Sequence, residues 1–203
     1  MKVIKPSGTM AIAEKSRKMI QSGRKVYNLD LGEPDFDTPQ HIKEAALKAL
    51  KNGFTHYTSS RGIVELRHAI SDDLKTRGIY ADPEKEIIVT PGSKHAIYCA
   101  CLATIDPGQE VLVLAPTWPT HFQCVELAGA RAIEVPCEES YSLDEVLKKK
   151  ITNKSRMIVV NSPNNPTGGA LNEENVKTIV DLAVDYDLLI LSDEVYDRIV
   201  YDD

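Results

Sequence analysis

The amino-acid sequence predicts an α/β fold built around a mostly parallel sheet. Five short apolar runs have strand character, and stretches with helical periodicity lie between several of them. The runs occupy residues 87–89, 111–115, 132–135, 157–160 and 188–191. Because these runs are apolar throughout, we expect a sheet that helices cover on both faces, and such sheets are mostly parallel.

Six helices are predicted, and glycine ends the first three of them. These helices end at Ser22-Gly23, at Asn52-Gly53 and at Gly78, which are residue types that commonly terminate a helix. The predicted helical ranges are 7–21, 39–51, 64–77, 94–105, 120–128 and 173–186. The alternation of strands and helices begins after Gly78, so the sheet is predicted to lie in the second part of the chain.

The composition excludes several classes of function. The chain has 203 residues, of which 42% are hydrophobic and 27% are charged, as in ordinary globular proteins. The net charge of -6 argues against nucleic acid or an anionic membrane as a partner. No apolar run approaches the roughly 20 residues of a membrane span, and no secretory signal begins the chain. The four cysteines form no CxxC pair, so we expect reduced thiols in a cytoplasmic protein.

Polar residues that suit ligand binding follow four of the predicted strands. The segments are "TPGSK", "PTWPT", "NSPNNPTG" and "SDEVYDR". In open α/β sheets, ligands bind outside the carboxyl ends of the strands. The sequence therefore predicts a binding site at that edge of the sheet, which we call the carboxyl edge.

The segment "TPGSKHA" is predicted to end a strand and open a helix. Free N–H groups and the dipole at a helix N-terminus suit an anion such as phosphate. The alternative is a plain cap, in which Ser93 only caps the helix. The sequence contains neither a P-loop nor a GxGxxG motif, so a Walker NTPase or a nicotinamide dehydrogenase has no positive support.

Two further loops carry residues that suit a planar, partly cationic ligand. Trp118 is either a core residue or a platform for an aromatic ring. Asp193 follows an apolar strand, where a buried carboxylate needs a cationic partner such as a protonated ring nitrogen. Alternatively, Asp193 caps a helix, and Glu194 and Tyr196 are surface residues. Together with Tyr196 and Asn165 near a ring oxygen, these features fit pyridoxal 5′-phosphate (PLP).

The sequence resembles the class I/II aminotransferases of PLP fold type I. The resemblance rests on six segments that occur in order. They are "NLDLGEPDFDTP", "HYTSSRGIVELRHAI", "TPGSKHAI", "DPGQEVLVLAPTWPTH", "NSPNNPTG" and "SDEVYDRIVY". The resemblance implies a PLP-binding large domain and transfer of an amino group between an amino acid and a 2-oxo acid.

The resemblance assigns five residues to the cofactor. Ser93 and Lys94 would hold its phosphate within their own subunit. Trp118 would stack on the pyridine ring, Asp193 would keep the ring nitrogen protonated, and Tyr196 would donate to the ring oxygen. Trp118, Asp193 and Tyr196 are therefore the candidate catalytic residues, and Trp118 is also expected to contact the substrate. No metal site is expected.

Three more residues are assigned to the substrate, the cofactor or a second subunit. Asn165 would donate its side-chain amide to the ring oxygen and to the substrate. Gly32 would offer its N–H to the substrate's α-carboxylate. Tyr57 would hydrogen-bond the cofactor phosphate of a neighbouring subunit, and this role implies a homodimer.

The family pattern also predicts parts that this sequence does not contain. The lysine that forms the Schiff base lies a few tens of residues beyond the aspartate strand in the family, whereas this sequence continues for ten residues after Asp193. We therefore expect residues 1–30 to form an N-terminal arm on the small-domain side and residues 31–203 to form a partial large domain. A missing C-terminal half would leave an unpaired strand edge and no activity by this chain alone.

Two alternatives stay open at this point. A PLP-dependent C–S β-lyase of the same fold shares most of these motifs. A non-catalytic module that binds the cofactor or another subunit would keep the fold without the chemistry.

Overall fold

The computed structural model describes residues 8–29, 32–34, 36–137 and 143–201. The chain divides into two compact units, Met1–Ser59 and Ser60–Asp203. The domain boundary predicted between residues 30 and 31 falls outside the described residues and stays a prediction.

The first unit contains two helices, α1 (Gly8–Gln21) and α2 (Gln40–Lys51). Both were predicted, although Ser7, the predicted start of the first, lies outside the described residues. Gly23 and Gly53 follow the helix ends with φ of 80° and 75°, a left-handed backbone that favours glycine.

The second unit contains five helices and four strands among the described residues. They are α3 (Val64–Thr76), α4 (Ser93–Thr104), β1 (Glu110–Ala115), α5 (Thr120–Leu127), β2 (Arg131–Pro136), α6 (Leu143–Lys150), β3 (Ser155–Asn161), α7 (Glu173–Asp185) and β4 (Leu189–Asp193). None of the helices in the described ranges combines the length and the apolar composition that crossing a bilayer requires.

The four strands form one parallel sheet in the order β2-β1-β3-β4. Side chains of β1 alternate between two buried clusters: Leu112 packs with α6 and α7 residues, and Val113 packs with α4 and α5 residues. Helices therefore cover both faces of the sheet, and the α/β prediction is confirmed. All four carboxyl ends lie at one edge, because the strands run in the same direction.

Two details of the predicted elements were wrong. Residues 87–89 are not a strand: Val89 donates its N–H to the Arg61 carbonyl at 3.0 Å, but the segment joins no described strand. An apolar run forms a strand only beside a neighbour that pairs with it. Helix α6 was not predicted, although the i,i+4 ion pair between Asp144 and Lys148 (2.9 Å) supports it.

The buried strand β1 provides a test of the core. Leu112 is fully buried at the centre of the sheet, so we expect Leu112→Ala to lower the free energy of unfolding by about 2–5 kcal/mol. Leu102→Ala is the matched control, because this α4 leucine is 50% exposed. Urea unfolding measures both variants, and equal losses would contradict this packing.

Candidate functional site

A cavity of about 110 Å³ lies at the carboxyl edge of the sheet. Its lining comes from the N-terminus of α4 and from the segments that follow β1, β3 and β4. The lining residues are Ser93, Trp118, Asn161, Asn165, Asp193, Val195 and Tyr196. Five of the eight predicted site residues therefore meet in one cavity.

The other three predicted residues are not among those that line the cavity. Lys94 Nζ is 4.9 Å from the centroid of the Trp118 ring, in cation–π contact beside the cavity. Gly32 and Tyr57 belong to the first unit, and both are exposed. The roles predicted for Gly32 and Tyr57 therefore stay predictions.

The Asp193 carboxylate is buried at the end of β4 and bonded to a buried histidine. His121 Nε2 lies 2.9 Å from Asp193 Oδ2, and Thr117 Oγ1 lies 2.9 Å from His121 Nδ1. Asp193 Oδ1 accepts the Val195 N–H at 3.3 Å. The hydrogen bond from His121 lowers the pKa of Asp193 below its ordinary value of 3.8, although burial raises it. Asp193 is therefore an anion at neutral pH.

The negative charge of Asp193 determines which side chain donates in the hydrogen bond between Asp193 and His121. A carboxylate only accepts hydrogen bonds, so His121 carries its proton on Nε2 and donates it to Asp193. On the other side of the ring, Nδ1 of His121 is hydrogen-bonded to the Thr117 hydroxyl. Among the described residues, His121 and the Val195 N–H are the hydrogen-bond partners of the Asp193 carboxylate.

The first asparagine of "NSPNNPTG" joins β3 to β4 and to the loop after β3. Asn161 Nδ2 donates to the Asp193 carbonyl at 3.0 Å, and Asn161 Oδ1 accepts the Asn165 N–H at 2.8 Å. Asn161 is itself buried. One side-chain amide therefore fixes the backbone at both Asn165 and Asp193.

The second asparagine joins the same loop to the segment after β1. Asn164 Nδ2 donates to the Pro116 carbonyl at 3.0 Å, two residues before Trp118. Asn164 Oδ1 accepts the Thr167 N–H at 3.2 Å. The Ala115–Pro116, Ser162–Pro163 and Asn165–Pro166 bonds are all cis. The asparagines thus hold the loops on either side of the cavity together.

Helix α4 points its N-terminus at the cavity. Gly92 is its N-cap, with φ of 88°, and no side chain caps the helix. The alternative in which Ser93 is a plain cap is therefore wrong: Ser93 is the first helical residue and lines the cavity. The N–H groups of a first turn have no partner within their helix, so this end suits an anion.

The alternatives for Trp118 and Asp193 have different outcomes. Trp118 packs against the buried α4–α5 cluster and also lines the cavity, so it has core and site contacts at once. Its ring meets His121 edge-on, with centroids 5.8 Å apart. Asp193 caps no helix, because it is the last residue of β4 and a turn follows it. Tyr196 is half-buried at the cavity rather than on the free surface.

Three residues that hold the site together were not predicted from the sequence. Thr117 and His121 are four residues apart, the spacing that brings side chains together at a helix start, but a lone histidine carries no such signal by itself. Asn161 was read only as part of a polar loop. Its role depends on the register that places Asn161 opposite Asp193.

The family model for aminotransferase class I and II matches residues 24–203. The chain belongs to this family. It is 41% identical over 199 residues to an aspartate aminotransferase of Musicola paradisiaca, covering 96% of this chain and 50% of that protein. It is also 45% identical to an aspartate aminotransferase of Pyrococcus abyssi, covering 91% of this chain and 49% of that protein.

Solved structures agree with the fold. The aspartate aminotransferase from Thermus thermophilus with maleate superposes with a TM-score of 0.93 at 39% identity, covering 98% of this chain and 53% of that one. The chain spans about half the length of the curated relatives it matches.

Pyridoxal 5′-phosphate is the cofactor of this family, and the side chains at the cavity fit it. Asp193 is a buried anion able to accept a ring N–H, and Trp118 offers an aromatic surface. The uncapped end of α4 suits a phosphate. Among the described residues, no cluster of side chains could hold a metal ion.

Because the pKa of Asp193 is lowered, the stability of the folded chain depends on pH in the acid range. A carboxyl group whose pKa is lower in the folded chain than in the unfolded chain stabilises the fold at pH values above its unfolded pKa, near 3.8. That stabilisation is lost as the pH falls through the folded pKa. We expect Asp193→Asn to destabilise the chain more at pH 7 than at pH 3. Urea unfolding at both values measures this difference.

The control for that experiment is Asp185→Asn, which changes an exposed carboxylate at the end of α7. Its effect should be small at both pH values. An Asp193→Asn effect that is the same at pH 7 and pH 3 would rule out the proposed ionisation.

Proposed function

We propose that this chain forms the cofactor-binding part of a PLP-dependent aminotransferase, which moves an amino group between an amino acid and a 2-oxo acid. The observation that carries the proposal is the ionised Asp193 carboxylate, buried at the cavity and hydrogen-bonded to His121 and to a backbone N–H among the described residues. A protonated pyridine nitrogen is the cation that such a site accommodates.

Each predicted cofactor residue then has one task. Asp193 holds a proton on the ring nitrogen, and His121 and Thr117 orient its carboxylate. Trp118 supports one face of the ring, and the N-terminus of α4 with Ser93 and Lys94 holds the phosphate. Asn165 and Tyr196 donate to the ring oxygen.

PLP, when bound, supplies a ring that accepts the electron pair released at the substrate's α-carbon. The chain's contribution is to place and charge that ring. The hydrogen bonds from Asn161 support this contribution, because they fix Asn165 and Asp193 relative to each other. In our proposal, the lysine that bonds the cofactor belongs to the half of the relatives' length that this chain does not span.

The proposal also includes the substrate, the second subunit and the compartment. Gly32 binds the α-carboxylate of the substrate. Tyr57 is fully exposed, and it serves the phosphate of a neighbouring subunit in a homodimer. All four cysteines are free thiols, which supports a cytoplasmic protein. The relatives' names favour amino-group transfer over C–S cleavage.

Trp118 is the single tryptophan of the chain and reports on this site directly. We expect added PLP to quench its fluorescence in a saturable way, because the cofactor ring stacks on the indole. Asp193→Asn should weaken the PLP affinity by about tenfold or more, since a charged hydrogen bond is worth about 1.5–3 kcal/mol. A fluorescence titration corrected for PLP absorbance measures both.

Asp185→Asn is again the matched control and should leave the affinity unchanged. Borohydride treatment followed by intact-mass analysis completes the experiment. We expect no stoichiometric adduct on a single lysine of these 203 residues, because in our proposal the bonding lysine belongs to the part of the relatives that they do not span. Failure of PLP to quench Trp118, or equal affinity of the two Asn variants, would contradict the proposed function.

A further inference from the structure

Helix α3 contains a buried arginine that the proposed site does not use. Arg67 is only 2% exposed, although arginine is almost never fully buried unless it is paired. Its Nε donates to the Gly62 carbonyl at 3.3 Å, and its Nη1 donates to the Pro83 carbonyl. The same Nη1 lies 3.3 Å from Oε2 of Glu84. The buried guanidinium therefore fixes two backbone segments that lie far apart in the sequence.

Further hydrogen bonds strengthen the connection between these two segments. Ser71 follows Arg67 by four residues on α3, so their side chains lie on one face of the helix. Ser71 is also 2% exposed, and its Oγ donates to the Ala81 carbonyl at 2.8 Å. Arg61 Nη1 donates to the Glu84 carbonyl. Residues 61–62 and 81–84 are therefore bonded both to α3 and to each other.

Residues 61–62 in turn contact the chain shortly before α4. Val89 donates its N–H to the Arg61 carbonyl at 3.0 Å. Gly62 has φ of 97°, and a Cβ added there would lie 2.7 Å from both Cβ and Cγ2 of Val89. Real Cβ atoms essentially never approach other atoms so closely, so a larger residue at position 62 would displace Val89. The backbone at Gly62 thus sets the place of Val89.

A short, internally bonded turn connects Val89 to the end of α4 that faces the cavity. The Gly92 N–H donates to the Thr90 carbonyl at 2.8 Å, and Thr90 Oγ1 donates to the Gly92 carbonyl at 3.0 Å. Gly92 is the N-cap of α4, and Ser93, its first residue, lines the cavity. Because the turn is short and bonded to itself, a displacement of Val89 moves the first N–H groups of α4.

We propose that Arg67 is a positioning residue for the cofactor phosphate, because it sets, through Gly62 and Val89, where the first N–H groups of α4 lie. This inference rests on the proposed function, in which that end of α4 binds the phosphate. The cavity lining among the described residues does not include Arg67, so it acts through the backbone that it holds. Hydrogen bonds need the correct distance and direction, and a misplacement of about 0.5 Å already weakens such a site.

Two glycines of the second unit provide matched variants. Gly62→Ala introduces a Cβ that pushes on Val89. Gly78→Ala is the control: Gly78 also has a positive φ, of 77°, but no heavy atom of the described residues lies within 4 Å of an added Cβ. Both substitutions strain the backbone in the same way, and Gly62→Ala alone adds the contact with Val89. Arg67→Met removes the N–H donors and keeps an apolar stem in the buried position.

The first measurement is NMR of the isotope-labelled full chain without PLP. It follows the backbone amide signals of Gly92 and Ser93, at the start of α4. We expect Gly62→Ala and Arg67→Met to shift both signals, and Gly78→Ala to leave both in place. Unchanged Gly92 and Ser93 signals in Gly62→Ala would overturn the proposal, because the start of α4 would then not depend on the backbone at position 62.

The second measurement compares PLP with pyridoxal, which has the same ring and no phosphate. Fluorescence of Trp118 gives the affinity of the full chain for each ligand. We expect Gly62→Ala to weaken PLP binding about tenfold and pyridoxal binding by less than about twofold, because only the hydrogen bonds to the charged phosphate are affected. Arg67→Met should change the ratio of the two affinities in the same direction. Gly78→Ala should leave the ratio unchanged.

A core variant separates positioning from general stability. Leu147→Ala removes a fully buried α6 side chain from the cluster on the other face of the sheet, so it should lower stability without changing the ratio of PLP to pyridoxal affinity. Circular dichroism checks folding, and Gly62→Ala decides the result if Arg67→Met unfolds.

The results distinguish this inference from the proposed function. Equal losses of PLP and pyridoxal affinity in Gly62→Ala would overturn the inference, because they indicate a general effect on the fold. Unchanged PLP affinity in that variant would overturn it as well. An unsubstituted chain that binds neither ligand would instead overturn the proposed function and, with it, the role of Arg67 toward the phosphate.

Discussion

The hydrogen bond between His121 and Asp193 joins the core of this protein to its candidate chemistry. Burying a carboxylate is unfavourable unless hydrogen bonds stabilise the charge, and Asp193 receives them from His121 and from the Val195 N–H. His121 can donate in this direction because Thr117 occupies its other nitrogen. The anion at the carboxyl edge thus depends on two residues in the turn and helix that follow β1.

Side-chain amides at the end of β3 and in the loop after it connect the segments along the same carboxyl edge. Asn161 connects this loop to the end of β4, and Asn164 connects it to the segment after β1. Each side-chain amide both donates and accepts a hydrogen bond with neighbouring groups. Three neighbouring strands of the sheet therefore end in segments with fixed mutual positions, and a bound aromatic ring needs such positions on each of its sides.

Most of the fold was predictable because buried strands are apolar on both faces and helices interrupt them at regular intervals. The parallel arrangement places the strand ends together, so Trp118, Asn165 and Asp193 could be assigned to one site without coordinates. The segment 87–89 has the composition of a strand but no described partner, and composition alone cannot supply that information. His121 was missed because its importance comes from a contact 72 residues along the chain.

The measurement that tests the central claim most directly is NMR of isotope-labelled PLP bound to this chain, following the ring nitrogen as a function of pH. If Asp193 is the anionic partner of that nitrogen, the bound ring keeps its proton at pH values where the free cofactor has lost it, and Asp193→Asn removes the difference. A ring nitrogen that titrates in the bound state as it does in free PLP would contradict the account.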